Sequence, residues 1–508
     1  MTIGLTLQEL LGSGTGSAVA ISAPLAVDLT FDALRTQVAE TAAALNAVGI
    51  GAGDRVAIVL PNGPDMATAF LSVASAAASA PLNPGYRADE LEFYLTDLRA
   101  KVVIVEQGSP SPVVDVAKRL AIPVARLQPQ PERGAGRFAL DTSALAGDRP
   151  ASARASDRED IALVLHTSGT TSRPKIVPLT QRNVCASARN IRESLALDAV
   201  DRGLNVMPLF HIHGLIAALL APLSAGGSVY CTPGFNALKF FGWMEAAKPT
   251  WYSAVPTMHQ AVLMRARHSA EVIAANRLRF IRSSSASLPP QVLKELEQVF
   301  GCPVVEAYGM TEAAHQMACN PLPPRVRKPG TVGLAAGPEV AIMDEDGGLV
   351  AAGVPGEIVI RGDNVTAGYE NNPGANAEAF SRGWFRTGDQ GVQDADGYVS
   401  ITGRLKEIIN RGGEKIAPRE IDEVLMDHPA VQQVVTFGIP HERLGEEVGA
   451  VVVLRDGMTA SEGELRDYVA TKVADFKVPR KLIFMDEIPK GATGKLQRIG
   501  LAQKLGLG

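Results

Sequence analysis

The chain has little of several features that would mark particular classes of protein. It has four cysteines in 508 residues, none in CxxC spacing, which argues against a disulfide framework or a structural zinc site. Lysine and arginine (49) nearly balance aspartate and glutamate (54), so no excess of charge points to nucleic acid or to an acidic tail. The longest apolar stretch, Met66 to Leu82, is broken by serines and is shorter than the roughly 20 residues that span a bilayer. We therefore expect a soluble globular protein without a transmembrane helix.

Recognisable targeting signals are also missing. The first basic residue is Arg35, so no charged segment precedes an apolar one, and the final Leu-Gly-Leu-Gly is neither a peroxisomal nor an ER-retention signal. We expect a cytoplasmic protein whose cysteines stay reduced. The sequence leaves the oligomeric state open.

What the chain does contain is an alternation of short β-branched runs with helical patterns. Ile161 to Leu165, Phe280 to Arg282 and Val304 to Val305 are such runs, and each ends in a segment rich in glycine, serine or threonine. This alternation predicts an α/β fold with a buried, mainly parallel sheet. Ligands of open α/β sheets bind at the carboxyl ends of the strands, where these polar segments lie.

The length predicts more than one domain, because a single core stops growing at roughly 250–300 residues. From Gly330 to Thr402 the pattern changes to glycine-punctuated strands, which predicts a small β-barrel-like segment that closes a large N-terminal domain. A compact α/β unit of about 100 residues follows, the size of a small domain. We place the boundary where the charged segment Arg404 to Glu407 begins, so the predicted domains are residues 1–403 and 404–508.

The strongest chemical signal is a hydroxyl-rich segment directly after the run Ile161 to Leu165. Its hydroxyls, its glycine and a lysine are Thr167, Ser168, Gly169, Thr170, Thr171, Ser172 and Lys175. Backbone N–H groups and hydroxyls in such a loop can surround phosphate oxygens, and the lysine adds positive charge. The segment lacks the G-x-x-x-x-G-K-[ST] spacing, and no G-x-G-x-x-G follows a strand, so P-loop and dinucleotide-binding interpretations are disfavoured. A polar surface turn is the plainer alternative.

Further motifs follow in order along the chain. They are Glu306-Ala307-Tyr308-Gly309-Met310-Thr311-Glu312, Gly383 to Asp389, Gly403-Arg404-Leu405-Lys406, and Pro489 to Arg498 with Lys495 near its centre. Taken singly, each has a plainer interpretation: a core tyrosine, a carboxylate at a helix start, an Asx turn, and a solvated lysine near the chain end.

Together these motifs resemble the acyl-adenylate-forming family, which includes acyl-CoA synthetases, coumarate-CoA ligases, firefly luciferase and peptide-synthetase adenylation domains. The resemblance extends over nearly the whole chain. Two positions depart from the family pattern TSGTTGxPKGV: Ser172 stands for a glycine, and Ile176 for the glycine after Lys175.

The resemblance implies an ATP site. Tyr308, beside Glu306 and Ala307, would stack on adenine, and Thr311 would touch the α-phosphate. Glu312, a hard carboxylate, would hold Mg²⁺. Asp389 would accept the ribose hydroxyls, and Arg404 would donate to ribose or phosphate. Lys495 would bridge the substrate carboxylate and the α-phosphate as charge moves between them.

The resemblance also implies a second step with a thiol. Lys406 occupies the position of the family's hinge, and Gly412 and Gly413 would line the face presented in that step; a simple tight turn is the alternative. Because the chain ends soon after Lys495 with no carrier domain, free coenzyme A is the expected acceptor. A stand-alone adenylation domain that loads a separate carrier and a catalytically silent nucleotide-binding relative are the rival classes.

Polar residues at the positions of the family's acyl pocket indicate which acid is the substrate. His211 would gate the site, while His213, Ser287 and His315 would line the pocket, with His315 one helical turn after Glu312 if that segment is helical. A protonated histidine would pair with a second carboxylate. The segments PLFHIHG, SSSASLPP and EAYGMTEAAHQM most resemble oxalate-CoA ligases. Malonate, coumarate and medium-chain fatty acids are the alternative substrates, and ordinary core histidines the structural alternative.

Overall fold

The structure is a computed structural model of the chain. It describes residues 6–145, 154, 156–167, 174–491 and 495–508. Over these ranges the fold is mixed α/β, as predicted, with a large N-terminal part and a smaller C-terminal part. None of the described helices is long and apolar enough to cross a membrane.

The described strands are numbered here along the chain. They are β1 (Val19–Ser22), β2 (Leu29–Thr30), β3 (Arg55–Val59), β4 (Ala78–Pro81), β5 (Val102–Glu106), β6 (Val124–Pro129), β7 (Phe138–Asp141), β8 (Ile161–Thr167), β9 (Lys175–Thr180), β10 (Arg202–Asn205), β11 (Ser228–Cys231), β12 (Trp251–Ala254), β13 (Phe280–Ser284), β14 (Val304–Met310), β15 (His315–Cys319), β16 (Leu334–Ala335), β17 (Glu339–Met343), β18 (Gly356–Arg361), β19 (Phe380–Ser381), β20 (Trp384–Gln393), β21 (Val399–Arg404), β22 (Ile409–Arg411), β23 (Glu414–Ile416), β24 (Val431–His441), β25 (Gly445–Leu454) and β26 (Lys481–Phe484).

The described α-helices are numbered in the same way. They are α1 (Leu7–Leu11), α2 (Phe31–Ala47), α3 (Pro64–Ala74), α4 (Ala88–Leu98), α5 (Val113–Arg119), α6 (Gln181–Ser194), α7 (Ala221–Ser224), α8 (Phe240–Ala247), α9 (Pro256–Ala266), α10 (Ala270–Ala275), α11 (Pro290–Phe300), α12 (Pro373–Ala379), α13 (Pro418–Met426), α14 (Glu462–Ala470) and α15 (Leu501–Lys504). A π-helical segment, His213–Leu220, leads into α7, and short 3-10 turns lie at Ser143–Leu145, Thr311–Ala313, Leu405–Glu407 and Asp475–Lys477.

Two sheets that are parallel at their centres form the body of the large N-terminal part. One has the order β7-β6-β5-β3-β4-β8-β9, and the other the order β16-β15-β14-β13-β12-β10-β11-β1-β2. Their central strands are buried along nearly their whole length, as the apolar run Val56 to Val59 in β3 illustrates. Strands of parallel sheets are covered on both faces and therefore have continuous apolar sequences, which is why such runs predicted a parallel sheet.

The glycine-punctuated segment and the C-terminal part each form a sheet of their own. Strands β17 to β21 pair antiparallel, with β20 in contact with β18, β19 and β21. In the C-terminal sheet β24 and β25 form a long antiparallel pair, and β26 adds parallel to β25. Helix α13 packs on this sheet through buried Ile421 and Leu425.

Two local features differ from what the sequence pattern predicts. The Ala-rich pattern predicts a helix from about Met66 to Ser79, but α3 ends at Ala74 and residues 78–81 form the central strand β4. Burial between helices and the neighbouring strands decides this, because a fully enclosed strand accepts small residues whatever their helix propensity. The composition of Gln128 to Arg158, rich in Pro, Arg, Ser and Asp, predicts an irregular connection, yet the segment contains β7, an edge strand paired with β6.

A buried carboxylate ties together the amino ends of three neighbouring strands. Asp201, just before β10, accepts a hydrogen bond from the Thr250 hydroxyl (2.7 Å) and pairs with the Arg279 guanidinium, Nη2 to Oδ2 2.7 Å. Thr250 and Arg279 directly precede β12 and β13. The opposite, carboxyl ends of these strands lead to the polar segments that the sequence singled out.

We predict that Asp201→Asn lowers the free energy of unfolding by about 2 kcal/mol, because it removes the charge from a buried carboxylate that accepts several hydrogen bonds and pairs with Arg279. Urea unfolding followed by tryptophan fluorescence measures the change. Glu339→Gln is the control, since Glu339 and Arg361 form an exposed bidentate pair on β17 and β18 that should contribute less than about 1 kcal/mol. Equal effects of the two substitutions would contradict the prediction.

Candidate functional site

The β14–β15 hairpin carries the first part of the site. The 3-10 turn Thr311–Ala313 joins the two strands, and within it Glu312 is buried. Its Oε1 accepts a hydrogen bond from the Tyr369 hydroxyl at 2.8 Å. Burial raises the pKa of Glu312, whereas the hydrogen bond from Tyr369 and the nearby charges of Arg404 and Lys175 oppose that rise. The cations stabilise the ionised form of Glu312, and an ionised carboxylate is the kind of oxygen ligand that a hard cation such as Mg²⁺ takes.

Lys175 approaches Glu312 and Tyr369 from the sheet that contains β8 and β9. It begins β9, paired in register with Thr167 at the end of β8, and its ammonium lies 4.4 Å from the centre of the Tyr369 ring. The structure therefore brings the end of the hydroxyl-rich segment to Glu312 through Tyr369. Ser168, Gly169, Thr170, Thr171 and Ser172 lie outside the described residues.

Asp389 is the centre of the second part. It is buried on β20, opposite Arg404 on β21, and the Arg404 Nε donates to its Oδ1 at 2.8 Å. The Tyr308 hydroxyl donates to the other carboxylate oxygen. Burial raises the pKa of Tyr308 well above its usual value, so its hydroxyl keeps the proton it donates. Three predicted residues from two sheets thus form one hydrogen-bonded group.

Glu306 and Ala307 precede this group on β14. Ala307 is buried and its carbonyl accepts a hydrogen bond from Ser284 at 2.9 Å, so it positions the strand. Glu306 accepts from the backbone N–H of Gly330, and burial raises its pKa to about 7.

Lys495 reaches this region from the C-terminal part. Burial and the charge of Arg404 lower its pKa and the charges of Asp389 and Glu312 oppose them, with a net result of about 8. His211 lies close enough for the lysine to act on it as well: burial and then Lys495 lower the pKa of His211 to about 3. The last motif of the chain therefore meets the earlier ones.

Arg498 anchors the lysine's segment within the C-terminal part. Its guanidinium pairs with Glu407, Nη1 to Oε2 2.5 Å, and with Asp422, and its Nε donates to the Thr436 carbonyl at 2.6 Å. Glu407 lies next to Lys406, which is exposed between the β17–β21 sheet and the C-terminal sheet. The anchor thus connects the segment of Lys495 to the predicted hinge.

The two glycines predicted for the second step lie in the C-terminal part of the chain. Gly412 and Gly413 form the turn between β22 and β23, with φ values of 60° and 95°. That backbone favours glycine, and the role of both residues in the second step stays a prediction.

A second cluster, the histidine pocket, adjoins His211 and consists of His213, His315 and the side chains around them. His213 is fully buried; its Nε2 lies 2.6 Å from the Ser253 hydroxyl and its Nδ1 3.1 Å from the Ser285 hydroxyl. The His315 ring stacks on His213 with centroids 4.9 Å apart. Among the described residues, the buried His315 Nε2 has no hydrogen-bond partner.

Three details of this pocket differ from the interpretation of the sequence. Ser287 is exposed, and Ser285, two residues earlier, is the serine that contacts His213. The segment after Glu312 is not helical, because a 3-10 turn ends at Ala313 and His315 begins β15 with φ 103°. The pocket histidines are not readily protonated: burial lowers the pKa of His213 and His315 well below the usual value.

Sequence reasoning missed Arg282, which the structure places at the base of the pocket. It is fully buried on β13, with Nη1 3.3 Å from the Ser253 hydroxyl and 3.5 Å from His213 Nε2, and with Nη2 donating to Gln316 Oε1 at 3.1 Å. The usable signal was an arginine inside a predicted central strand, where a charged side chain is rarely buried without a reason.

The chain matches two models of known families. The AMP-binding enzyme model matches residues 12–370, and the AMP-binding enzyme C-terminal domain model matches residues 420–495. The chain is 46% identical over 481 residues to the probable CoA ligase CCL9 of Humulus lupulus, covering 92% of this chain and 90% of that protein. It is 45% identical over 461 residues to the oxalate–CoA ligase of Arabidopsis thaliana, covering 90% and 89%.

A solved structure has a similar fold. The ATP-bound MatB of Rhodopseudomonas palustris superposes with a TM-score of 0.88 at 30% identity, over 98% of each chain. Because the family model matches well over half of the chain and both relatives match nearly all of it, the protein belongs to the AMP-binding enzyme family.

Proposed function

We propose that oxalate is the acid that this AMP-forming acid–thiol ligase activates, with coenzyme A as the thiol. The observation that carries the proposal is the position of the histidine pocket, polar and buried, directly beside the group formed by Lys495, Glu312, Asp389 and Arg404. The similarity to the oxalate–CoA ligase of Arabidopsis thaliana supports it.

A carboxylate is a poor acyl donor, so the reaction proceeds in two steps. A carboxylate oxygen of the acid attacks the α-phosphorus of ATP, the bond from that phosphorus to the bridging oxygen breaks, and pyrophosphate leaves. The coenzyme A thiol then loses its proton and attacks the acyl carbon, the carbon–oxygen bond to phosphate breaks, and AMP leaves. Lys495 neutralises negative charge in the first step, where acid and α-phosphate meet.

The groups around Glu312 and Asp389 suit ATP. Asp389 keeps lone pairs free beyond its bonds to Tyr308 and Arg404, so its oxygens can accept ribose hydroxyls. Lys175, together with the hydroxyl-rich segment before it, would contact the phosphates. Thr311 lies beside Glu312 and would donate to the α-phosphate.

The donor set at Glu312 fits Mg²⁺ that arrives with the nucleotide. Within the part of the chain that the structure describes, no cluster of three or more histidine, cysteine or acidic residues could hold a metal by itself. Mg²⁺ is commonly held by one or two carboxylates plus substrate phosphates, so the single buried Glu312 suffices. The ion would neutralise phosphate charge there, while Tyr369 orients the carboxylate through its hydrogen bond.

The histidine pocket suits a short acid with a second polar end. Neutral His213 already has Ser253 and Ser285 as partners, whereas the Nε2 of His315 is left to bind the substrate. A buried polar atom without a partner is costly, so an acid that supplies an acceptor gains affinity there. A hydrocarbon chain or a phenyl ring would leave that group unpaired. Oxalate is short enough to place its second carboxylate next to the reacting one.

The two steps need different arrangements of the N-terminal and C-terminal parts, so the junction between them would act as a hinge. We place the domain boundary between residues 403 and 404, and the exposed Lys406 as the hinge. Because Arg498 and Glu407 pair across the C-terminal part, rotation there would carry Lys495 out of the site as a unit and admit the thiol.

A panel of acids tests the function. We expect AMP formation that needs both coenzyme A and an acid, with the highest kcat/KM for oxalate among oxalate, malonate, acetate, coumarate and a medium-chain fatty acid. Coenzyme A alone should support turnover, without a carrier protein. If acetate, coumarate or the fatty acid outcompetes oxalate, the substrate proposal is wrong although the ligase assignment stands.

Lys495→Ala should lower the rate of acyl-adenylate formation by about 100-fold to 1000-fold, because it removes the cation where negative charges meet. Thioester formation from supplied acyl-AMP should change much less. Single-turnover assays separate the steps. The control is Lys490→Ala in the same segment, since Lys490 pairs with Glu487 rather than with the site. Similar losses in both steps would refute the assignment of Lys495.

His315→Ala should raise the KM for oxalate by about tenfold to a few hundredfold, the loss of one charge-assisted hydrogen bond of about 1.5–3 kcal/mol. A monocarboxylate that the enzyme accepts should be affected far less. Ser287→Ala is the matched control, because Ser287 is exposed and should leave oxalate kinetics unchanged. An unaltered KM in His315→Ala would show that this ring does not meet the acid.

A further inference from the structure

We propose that Arg282 is the counter-charge for a second carboxylate of the substrate, and so the residue that makes the enzyme selective for dicarboxylic acids. This inference rests on the proposed function, because it uses the histidine pocket as the acid site. It replaces the protonated histidine that the sequence suggested with a permanently charged group.

Arg282 has only neutral partners within the described structure. Its guanidinium contacts the Ser253 hydroxyl, the Gln316 side-chain carbonyl and His213 Nε2, and no ion pair with a carboxylate is formed. Its Nε is buried without any hydrogen-bond partner. A buried cation that lacks a counter-ion is costly, and the cost is relieved when an anion enters.

The chain itself offers a comparison at the start of the same strand. Arg279, three residues earlier, lies against Asp201, which accepts from both its Nε and its Nη2. The sequence therefore supplies a carboxylate for one arginine of this segment and none for the other. The missing anion at Arg282 is the one that a substrate can bring.

The charge at neutral pH belongs to the arginine rather than to the rings beside it. Burial lowers the pKa of Arg282 only to about 10, so the guanidinium stays protonated. Burial and the positive charge of Arg282 hold His213 and His315 in the neutral form. His211, Cys319 and Lys495 are the other titratable groups that act on this cluster. The pocket thus presents one fixed positive charge and a neutral ring donor.

Two unpartnered polar atoms, Arg282 Nε and His315 Nε2, belong to this one cluster, because His213 stacks on His315 and touches Arg282. A carboxylate accepts at both oxygens and can satisfy more than one donor. The chemistry of the site is therefore that of a short acid with a second anionic group. A neutral second group would leave the guanidinium without its counter-charge.

Oxalate and oxamate provide the test, since oxamate has nearly the same shape but carries a neutral amide in place of the second carboxylate. We expect the wild-type enzyme to prefer oxalate, and Arg282→Gln to lower kcat/KM for oxalate by about 100-fold while changing that for oxamate by less than about threefold. Arg282→Lys, which keeps a cation, should restore part of the preference. An oxalate preference that survives in Arg282→Gln overturns the inference.

The pH dependence of the wild-type enzyme gives an independent readout if Arg282→Gln does not fold. Lys495 acts equally on oxalate and oxamate, so the effect of its titration cancels in the ratio of their kcat/KM values. A guanidinium counter-charge predicts a ratio that is constant from about pH 6 to pH 9. A protonated histidine predicts a ratio that falls about tenfold per pH unit above the histidine pKa, which would overturn the inference.

The same experiment separates this inference from the substrate proposal. If oxalate is used but its preference over oxamate does not depend on Arg282, the function stands and the inference fails. If malonate is used instead and its preference over malonamate is lost in Arg282→Gln, the inference stands and oxalate is wrong. If no dicarboxylic acid is preferred over its monoamide, the inference is overturned.

Discussion

Removal of charged groups from water is the constraint on which this site depends. Glu312, Asp389 and Arg282 are buried, and burial also lowers the pKa of Lys495, so each of these groups needs a partner of opposite charge when it is ionised. Asp389 has one in Arg404, but Arg282 has none in the described chain. On our proposal the substrates would complete the charge balance: nucleotide phosphates for the cations near Glu312, and an acid for Arg282.

The fold brings these groups together through the edges of its sheets. The histidine pocket and the β14–β15 hairpin lie at the carboxyl ends of β12, β13 and β14. The amino ends of β12 and β13 are held by Asp201, which itself precedes β10. Lys495 comes from a different sheet altogether, on a segment fixed by Arg498. On our proposal, this arrangement would let the strands keep the nucleotide and acid in place while the segment of Lys495 moves away with the C-terminal part.

Much of this could be predicted from the sequence, and the failures have physical causes. The alternation of apolar runs gave the α/β architecture, and the motifs around Tyr308, Asp389 and Lys495 gave residues that do converge. The register after β13 could not be read, so Ser287 was chosen where Ser285 makes the contact. The charge state of the histidines depends on burial and on Arg282, which meet them only in the folded chain. A single arginine in an apolar run carries no motif.

A crystal structure with a stable oxalyl-adenylate analogue, in which a sulfamoyl group replaces the phosphate, would test these assignments together. We predict the free carboxylate of the oxalyl group within hydrogen-bond distance of Arg282 and His315, with Lys495 at the sulfamoyl group and the ribose on Asp389. A free carboxylate directed to solvent, or an Arg282 whose charge is balanced by a protein carboxylate in the complex, would contradict it.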